Sequence, residues 1–422
     1  MDVEISQSDN GLRVATATIP EAQSASVTIY VGTGSRYEEQ RINGISHYLE
    51  HMLFKGTKQR PRADLIAEAI EGAGGRTNAS TGQEVTSYVA RVPYDKMGLA
   101  LEVLADMVNE PLLEDEEVER ERNVIYEEIK RSKDSPGAWV WRLLSLAVYG
   151  DQPMGWEIAG TQESVGNVSR QDLVQYMGAW YAPNNIVLSV AGRVSHQEVV
   201  KRADALFQER RPVPIGGYSP VGPRNDPSAV IVETRPISQA NLAMGLRAFN
   251  RHDPDRYALT VLTNLLGRGM SSRLFREVRE RRGLAYSVGC QATRYHDTGL
   301  FTAFAGVDPA NVAEAARVIV GELKKLVDEP VATEELVKAQ DYTIGNFRLD
   351  LEDTMSVARW VGSNLLTLGR VQEVEDVVEC YRAVTVADLQ RVAGRIFTPK
   401  EMSIALTGPN DETEAMTRIL EL

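Results

Sequence analysis

Residues 168–192, VSRQDLVQYMGAWYAPNNIVLSVAG, return as residues 384–408, VTVADLQRVAGRIFTPKEMSIALTG, without a gap and at an offset of 216 positions. Asp172 and Leu173 fall on Asp388 and Leu389, Pro183 on Pro399, and Gly192 on Gly408. Each copy reads as a helix capped by a hydroxyl residue (Ser169, Thr385), then a proline turn, then an apolar strand closed by glycine. A repeat this long is no unit of a stacked array; it marks two similar domains. The Pro/Gly-rich stretch 211–227, RPVPIGGYSPVGPRNDP, reads as their connection. The expected division is a first domain at 1–215, a linker at 216–228 and a second domain at 229–422.

Outward from the repeat, the first half mixes strands and helices. Ser26–Val31 reads as a strand, and 44–53 and 63–71 as helices, the second broken by Gly72, Gly74 and Gly75. Residues 76–81 and 84–92 suggest a hairpin across Gly82. Met97, Leu101, Leu104 and Val108 recur at helical spacing. Hairpins beside packed helices imply an α+β fold, each domain a largely antiparallel sheet packed with helices.

The 422 residues allow two to three cores, and 43% hydrophobic with 25% charged residues excludes a disordered or fibrous chain. Forty-six Lys+Arg against 59 Asp+Glu give a formal charge of −13, without the basic footprint of a nucleic-acid partner. No run approaches the ~18 apolar residues of a membrane span. The first residues, MDVEISQSDNGLRVATATIP, carry no apolar secretory core, so a cytoplasmic location is expected. Cys290 and Cys380 lie far apart, which suits a reducing compartment.

The sharpest local feature is GISHYLEH at 44–51, because two of the five histidines, His47 and His51, sit four residues apart. On a helix that spacing puts both imidazoles on one face, within reach of one ion, and imidazole nitrogen is a good zinc donor. Glu50, three residues after His47, shares that face without having to ligate. There its carboxylate could take a proton from a water held by the ion. The order H-x-x-E-H is that of the inverzincins.

A catalytic zinc needs a third protein ligand and one open position. The helical stretch DEEVERERNVIYEEIK at 115–130 carries an apolar stripe of Val118, Ile125 and Ile129. Glu121 and Glu128, two turns apart, share a face. Acids crowd this helix, and spacing alone does not choose among them.

The motif GISHYLEHMLFKGT at 44–57 resembles the signature of the pitrilysin-type (M16) zinc metallopeptidases. GGRTNASTGQEVTSYVA at 74–90, VIYEEIKR, SSRLFREVRERRGLAYSV at 271–288 and the repeated segments resemble the same family, so the likeness spans nearly the whole chain. It is nearest to the short, two-domain branch that includes mitochondrial processing peptidase and its bacterial relatives. In that family a third ligand follows the second histidine after 76 intervening residues, which implies Glu128 as ligand and Glu121 as the carboxylate supporting the site. The resemblance implies an edge strand beside the zinc, with Asn78, Ala79 and Ser80 meeting an extended peptide. It further implies that Arg279 and Tyr286 hold substrate and steady the developing oxyanion. That pair comes from the half of the family's clamshell opposite the zinc. With two domains per chain, the expectation is a homodimer whose sites are completed in trans.

The second domain has no histidine in YALTVLTNLLGRGM at 257–270, where the motif would repeat, so one Zn2+ per chain is expected. His196, His252 and His296 lack ligand spacing, and Trp139 and Trp141 read as packing residues. Two positions depart from the arginine-guided processing peptidases. Their acidic residues ten and fourteen positions past the third ligand are replaced by Ala138 and Arg142. The glycine-rich loop of the non-catalytic processing subunit is reduced to Leu266–Met270. The expected function is a zinc endopeptidase acting on extended or unfolded peptides in an enclosed chamber, with Glu50 as base. The competing readings are a non-catalytic assembly subunit and a peptide-binding protein of the same fold.

Overall fold

The computed structural model describes residues 1–223 and 229–421, so the end of the expected linker, 224–228, lies outside the described residues. Six strands form the first sheet: β1 (Asp2–Gln7), β2 (Arg13–Thr18), β3 (Ser24–Val31), β4 (Arg76–Thr81), β5 (Thr86–Pro93) and β6 (Ile186–Gly192), in the order β1-β2-β6-β3-β5-β4. Five form the second: β7 (Val230–Thr234), β8 (Ala240–Ala248), β9 (Ala285–Arg294), β10 (Gly299–Val307) and β11 (Ser403–Gly408), in the order β7-β11-β8-β10-β9. Neighbours are antiparallel except β2–β6 and β7–β11. Strand for strand, β2-β6-β3-β5-β4 matches β7-β11-β8-β10-β9, with β6 and β11 supplied by the repeated segment.

The same local chemistry starts both repeats. Ser169 caps the helix Arg170–Trp180 and Thr385 caps Val386–Ile396, each in a reciprocal capping box with Asp172 or Asp388. Short 3₁₀ turns at Pro183–Asn185 and Pro399–Glu401 then lead into strands.

The first five helices of the chain are α1 (Ile45–Met52), α2 (Ala63–Glu71), α3 (Met97–Asn109), α4 (Asp115–Asp134) and α5 (Pro136–Tyr149). The hairpin β4–β5 closes through Gly82 N–H to Val85 O at 2.9 Å. Met97, Leu101, Leu104 and Val108 are all buried along α3.

The chain divides into two compact units that are not the contiguous stretches 1–215 and 229–422. Unit 1 comprises Met1–Ile129, Trp156–Ser219 and Arg348–Val371; unit 2 comprises Lys130–Gly155, Pro220–Phe347 and Gln372–Leu422. Within the expected linker, the described residues up to Ser219 belong to unit 1 and those from Pro220 to Pro223 to unit 2. The reason lies in the central strands. Every residue of β6 and of β11 is buried, so each sheet needs cover on both faces. In unit 1 one face carries α1 and α3, while the other packs Ala15, Tyr30 and Val187 against Val357, Val361 and Leu365 of the helix Thr354–Leu368. In unit 2 one face carries the helices Arg256–Gly267, Val312–Asp328 and Val386–Ile396. The other packs Ala243 and Ala405 against Val140, Leu144 and Val148 of α5. Each half of the sequence thus lends a helix to the other half's sheet. No described helix is long and apolar enough to cross a membrane, and Cys290 and Cys380 are unbridged.

Candidate metal centre

Helix α1 presents the motif, and its start is built around an acid a few residues upstream. Gly44 precedes the helix at φ +98°, and a Cβ there would stand 2.6 Å from Ala159 O, so glycine is required on two counts. The buried Glu38 carboxylate accepts from Gly44 N–H (2.7 Å), Ser46 N–H (2.9 Å) and Asn43 Nδ2 (2.7 Å). It thereby satisfies main-chain donors that a helix start leaves without partners. Ser46 and Thr33 both share hydrogen bonds with the buried Tyr176 hydroxyl, at 2.7 and 2.6 Å. Tyr48, fully buried, bonds through its hydroxyl to Val118 O, tying α1 to α4.

Burial pushes the Glu38 carboxyl up to about 7, against the Ser46, Gly44 and Asn43 hydrogen bonds that favour its ionised form. The folded value lies above the unfolded one of ~4.3. Its contribution to stability is therefore complete below pH ~4.3 and is lost as pH rises through about 7. Thermal denaturation from pH 4 to 8 should show this slope in the parent chain and a flatter one in Glu38→Gln.

One turn further on, the two histidines and Glu128 converge. Their donor atoms form a triangle: His47 Nε2 to His51 Nε2 is 3.2 Å, His51 Nε2 to Glu128 Oε2 3.6 Å, and His47 Nε2 to Glu128 Oε2 3.7 Å. Ligand atoms ~2.0–2.1 Å from a tetrahedral zinc stand ~3.3–3.4 Å apart, so one ion fits this triangle and keeps a fourth direction open. His51 Nδ1 lies 2.7 Å from Glu121 Oε1, which commits that nitrogen as donor and leaves the Nε2 lone pair for a metal. His47 Nδ1 is buried with no hydrogen-bond partner in the structure. Burial, with His51 alongside, lowers the His47 pKa to about 4, so its imidazole is neutral as a ligand must be. Two imidazoles and a carboxylate suit zinc, and no other described His, Cys, Asp or Glu trio could hold an ion.

The surrounding charges are compensated. Burial works to raise the Glu121 pKa, but hydrogen bonds from His51 and Lys55 outweigh it and hold the carboxyl below its usual range. Lys55 Nζ reaches Glu121 Oε2 at 2.5 Å. Burial alone would lower the His51 pKa; Glu121, Glu128 and Glu50 together raise it. Carboxylates that orient a ligating histidine are typically worth ~10–100-fold in metal affinity. Glu121→Gln should weaken zinc binding by that amount in competition with a chelating dye, while far-ultraviolet circular dichroism stays unchanged.

Glu50 lies on the same face of α1 and accepts a hydrogen bond from Thr81 Oγ1 at the end of β4. Burial raises its pKa and Glu128 adds to the effect, opposed by Thr81 and His51. Among the described strands β4 pairs with β5 alone and is the edge of its sheet. Asn78 and Ser80 are exposed along it, with Ser80 Oγ 3.0 Å from Ser87 Oγ, while Ala79 packs inward.

Arg279 and Tyr286 belong to unit 2 and come together there. Arg279 lies on the π-helical turn Phe275–Glu280, with its guanidinium 4.8 Å from the Phe275 ring centre and 5.4 Å from that of Tyr286. Gly283, at φ +63°, lies between that turn and β9. Tyr286 is 79% exposed, high for so large a ring in a strand. Arg142 is half-buried and donates to Gly155 O at 2.7 Å, while Ala138 is exposed.

The other histidines have other partners. His196 bonds Ser6 and Thr16, and His252 and His296 pack ring edge to ring face at 5.1 Å. Sequence reasoning did not reach Glu38, Lys55 or Thr81. Lys55, one turn past His51, offered a spacing signal; the other two act across 6 to 31 positions and leave none.

Residues 13–162 match the description Insulinase (Peptidase family M16), and residues 167–342 match Peptidase M16 inactive domain. A protein of Streptomyces coelicolor named an uncharacterized zinc protease is 35% identical over 411 residues, covering 96% of this chain and 89% of that one. The chain belongs to peptidase family M16. A Bacillus subtilis relative of this M16 chain, likewise named an uncharacterized zinc protease, is 35% identical over 95% of this chain and 97% of its own. The crystal structure of a protease from Helicobacter pylori superposes with a TM-score of 0.91 at 26% identity, covering 97% of this chain and 99% of that one. The match described as inactive falls on 167–342, which contains neither His47, His51 nor Glu128. The family and these relatives point to a peptidase with zinc as its metal.

Proposed function

We propose that the chain is a zinc-dependent endopeptidase that hydrolyses extended or unfolded peptides, with His47, His51 and Glu128 as ligands and Glu50 as general base. The observation that carries this reading is the His47–His51–Glu128 triangle with a partly buried, unligated carboxylate beside it. Zinc held there would supply a Lewis acid, polarising the scissile carbonyl and acidifying an attacking water.

The chain's own residues do the rest. The main chain of β4 at 78–80 takes up an extended peptide as a further strand, which gives affinity with little sequence demand. Glu50 receives the proton of the attacking water and returns it to the departing amine. Glu121 holds the His51 ring in the ligating tautomer. Arg279 and Tyr286, exposed on unit 2, donate to the oxygen that gains charge. We place them in the site of a partner protomer, in a homodimeric clamshell whose enclosed chamber selects peptides without stable structure. Each protomer holds one Zn2+. The free cysteines fit the reducing cytoplasm.

The first experiment is digestion of a mixed pool of short unstructured peptides, read by mass spectrometry, with the parent chain and zinc-loaded Glu50→Gln side by side. Cleavage by the parent alone supports the proposal. Absence of cleavage by both, with zinc bound, supports the non-catalytic subunit instead.

A further inference from the structure

We infer that Thr81 is a positioning residue for Glu50, so that the strand receiving the peptide also fixes the base that acts on it; this rests on Glu50 being the base. Along β4 the side chains alternate. Arg76, Asn78 and Ser80 are exposed, while Thr77, Ala79 and Thr81 turn inward. The last inward side chain donates its hydroxyl to Glu50 Oε2, and among the described residues Glu50 Oε1 accepts no hydrogen bond. One oxygen is held and the other is left for the proton.

Thr81 is itself pinned. It pairs with Thr86 across the hairpin, and Thr86 Oγ1 donates to Thr33 O at 3.0 Å. The next residue, Gly82, donates to Val85 O at 2.9 Å and accepts from Ser35 N–H at 3.1 Å. Gly34 packs so closely that a Cβ on it would stand 2.2 Å from Gly82 O. A β-branched residue on such a backbone has few χ1 rotamers, which narrows the directions its hydroxyl can take. Glu50, by contrast, has a flexible side chain that leaves the productive geometry unless something holds it. A displacement of ~1 Å at a reacting group can cost ~10²-fold in rate.

The test compares full-length, zinc-loaded Thr81→Val, Thr81→Ala and Thr81→Ser on one quenched fluorescent peptide. Zinc stoichiometry is measured on each, and so is binding of a labelled peptide to the metal-free chain. Val and Ala should lower kcat ~10–100-fold with KM within about twofold, and Ser should restore most of it. Zinc content and peptide affinity should not change. In a Glu50→Gln background Thr81→Val should cost nothing further, because two residues acting as one unit are not additive. Parental kcat in both Val and Ala, a change confined to KM or peptide affinity, failure of Ser to rescue, or full additivity with Glu50→Gln would each overturn the inference. Should Val unfold, the Ala–Ser pair decides. If Glu50→Gln itself keeps parental activity, the reading of the base fails and takes this one with it. If Glu50→Gln is inactive and Thr81→Val is not, only the role of Thr81 fails.

Discussion

Glu50→Gln is expected to keep its zinc and to lose activity by on the order of 10²–10⁴-fold, the usual contribution of a positioned acid or base. The substitution is nearly isosteric and still accepts from Thr81, so α1 and the His47–His51 pair keep their places. On the proposed mechanism it removes the capacity to take a proton from water and hand it to the leaving amine. Metal analysis and kcat on the same sample separate the two effects. Parental turnover in a zinc-replete Gln variant would sink the mechanism; loss of zinc together with activity would show that Glu50 holds the site together.

Glu128→Ala is expected to abolish stoichiometric zinc, and activity with it. Glu128 supplies the third corner of the donor triangle, and two imidazoles alone leave the ion half-coordinated. The loss of affinity should exceed the ~10–100-fold expected for an outer partner such as Glu121. Glu127→Ala is the informative control, since Glu127 is exposed and one residue away on the same acidic helix. Competition titration against a chelating dye should leave Glu127→Ala parental. Equal zinc binding by Glu128→Ala and the parent would remove the basis for the site.

How much of this was written locally in the sequence differs residue by residue. The repeated helix–turn–strand was legible because its determinants are neighbours: Ser169 with Asp172, Thr385 with Asp388, and an apolar run after each. His47 and His51 were legible because one helical turn converts spacing into proximity. Glu128 was not, since Glu116, Glu117, Glu119, Glu121 and Glu127 share its helix and local pattern cannot rank them; family resemblance was needed. Thr81 escaped because its partner lies 31 positions away and is met only through packing of β4 on α1, and Glu38 because no regular spacing links it to the helix start six residues on. The contiguous domain boundaries failed to describe the units for a related reason. An apolar strand announces that both its faces are covered, but not which part of the chain covers them.

That cover has a consequence for biosynthesis. The helix Thr354–Leu368 closes the first sheet's second face, yet it is translated long after β6. Until Leu368 has left the ribosome, Ala15, Ala17, Tyr30, Val187 and Ala191 have no helix to cover them. Meanwhile α5, already made, awaits a sheet whose strands begin at Val230. A nascent chain halted at the linker would therefore be an apolar-faced intermediate and a client for holdase chaperones. The two halves, however alike, each complete the other's sheet.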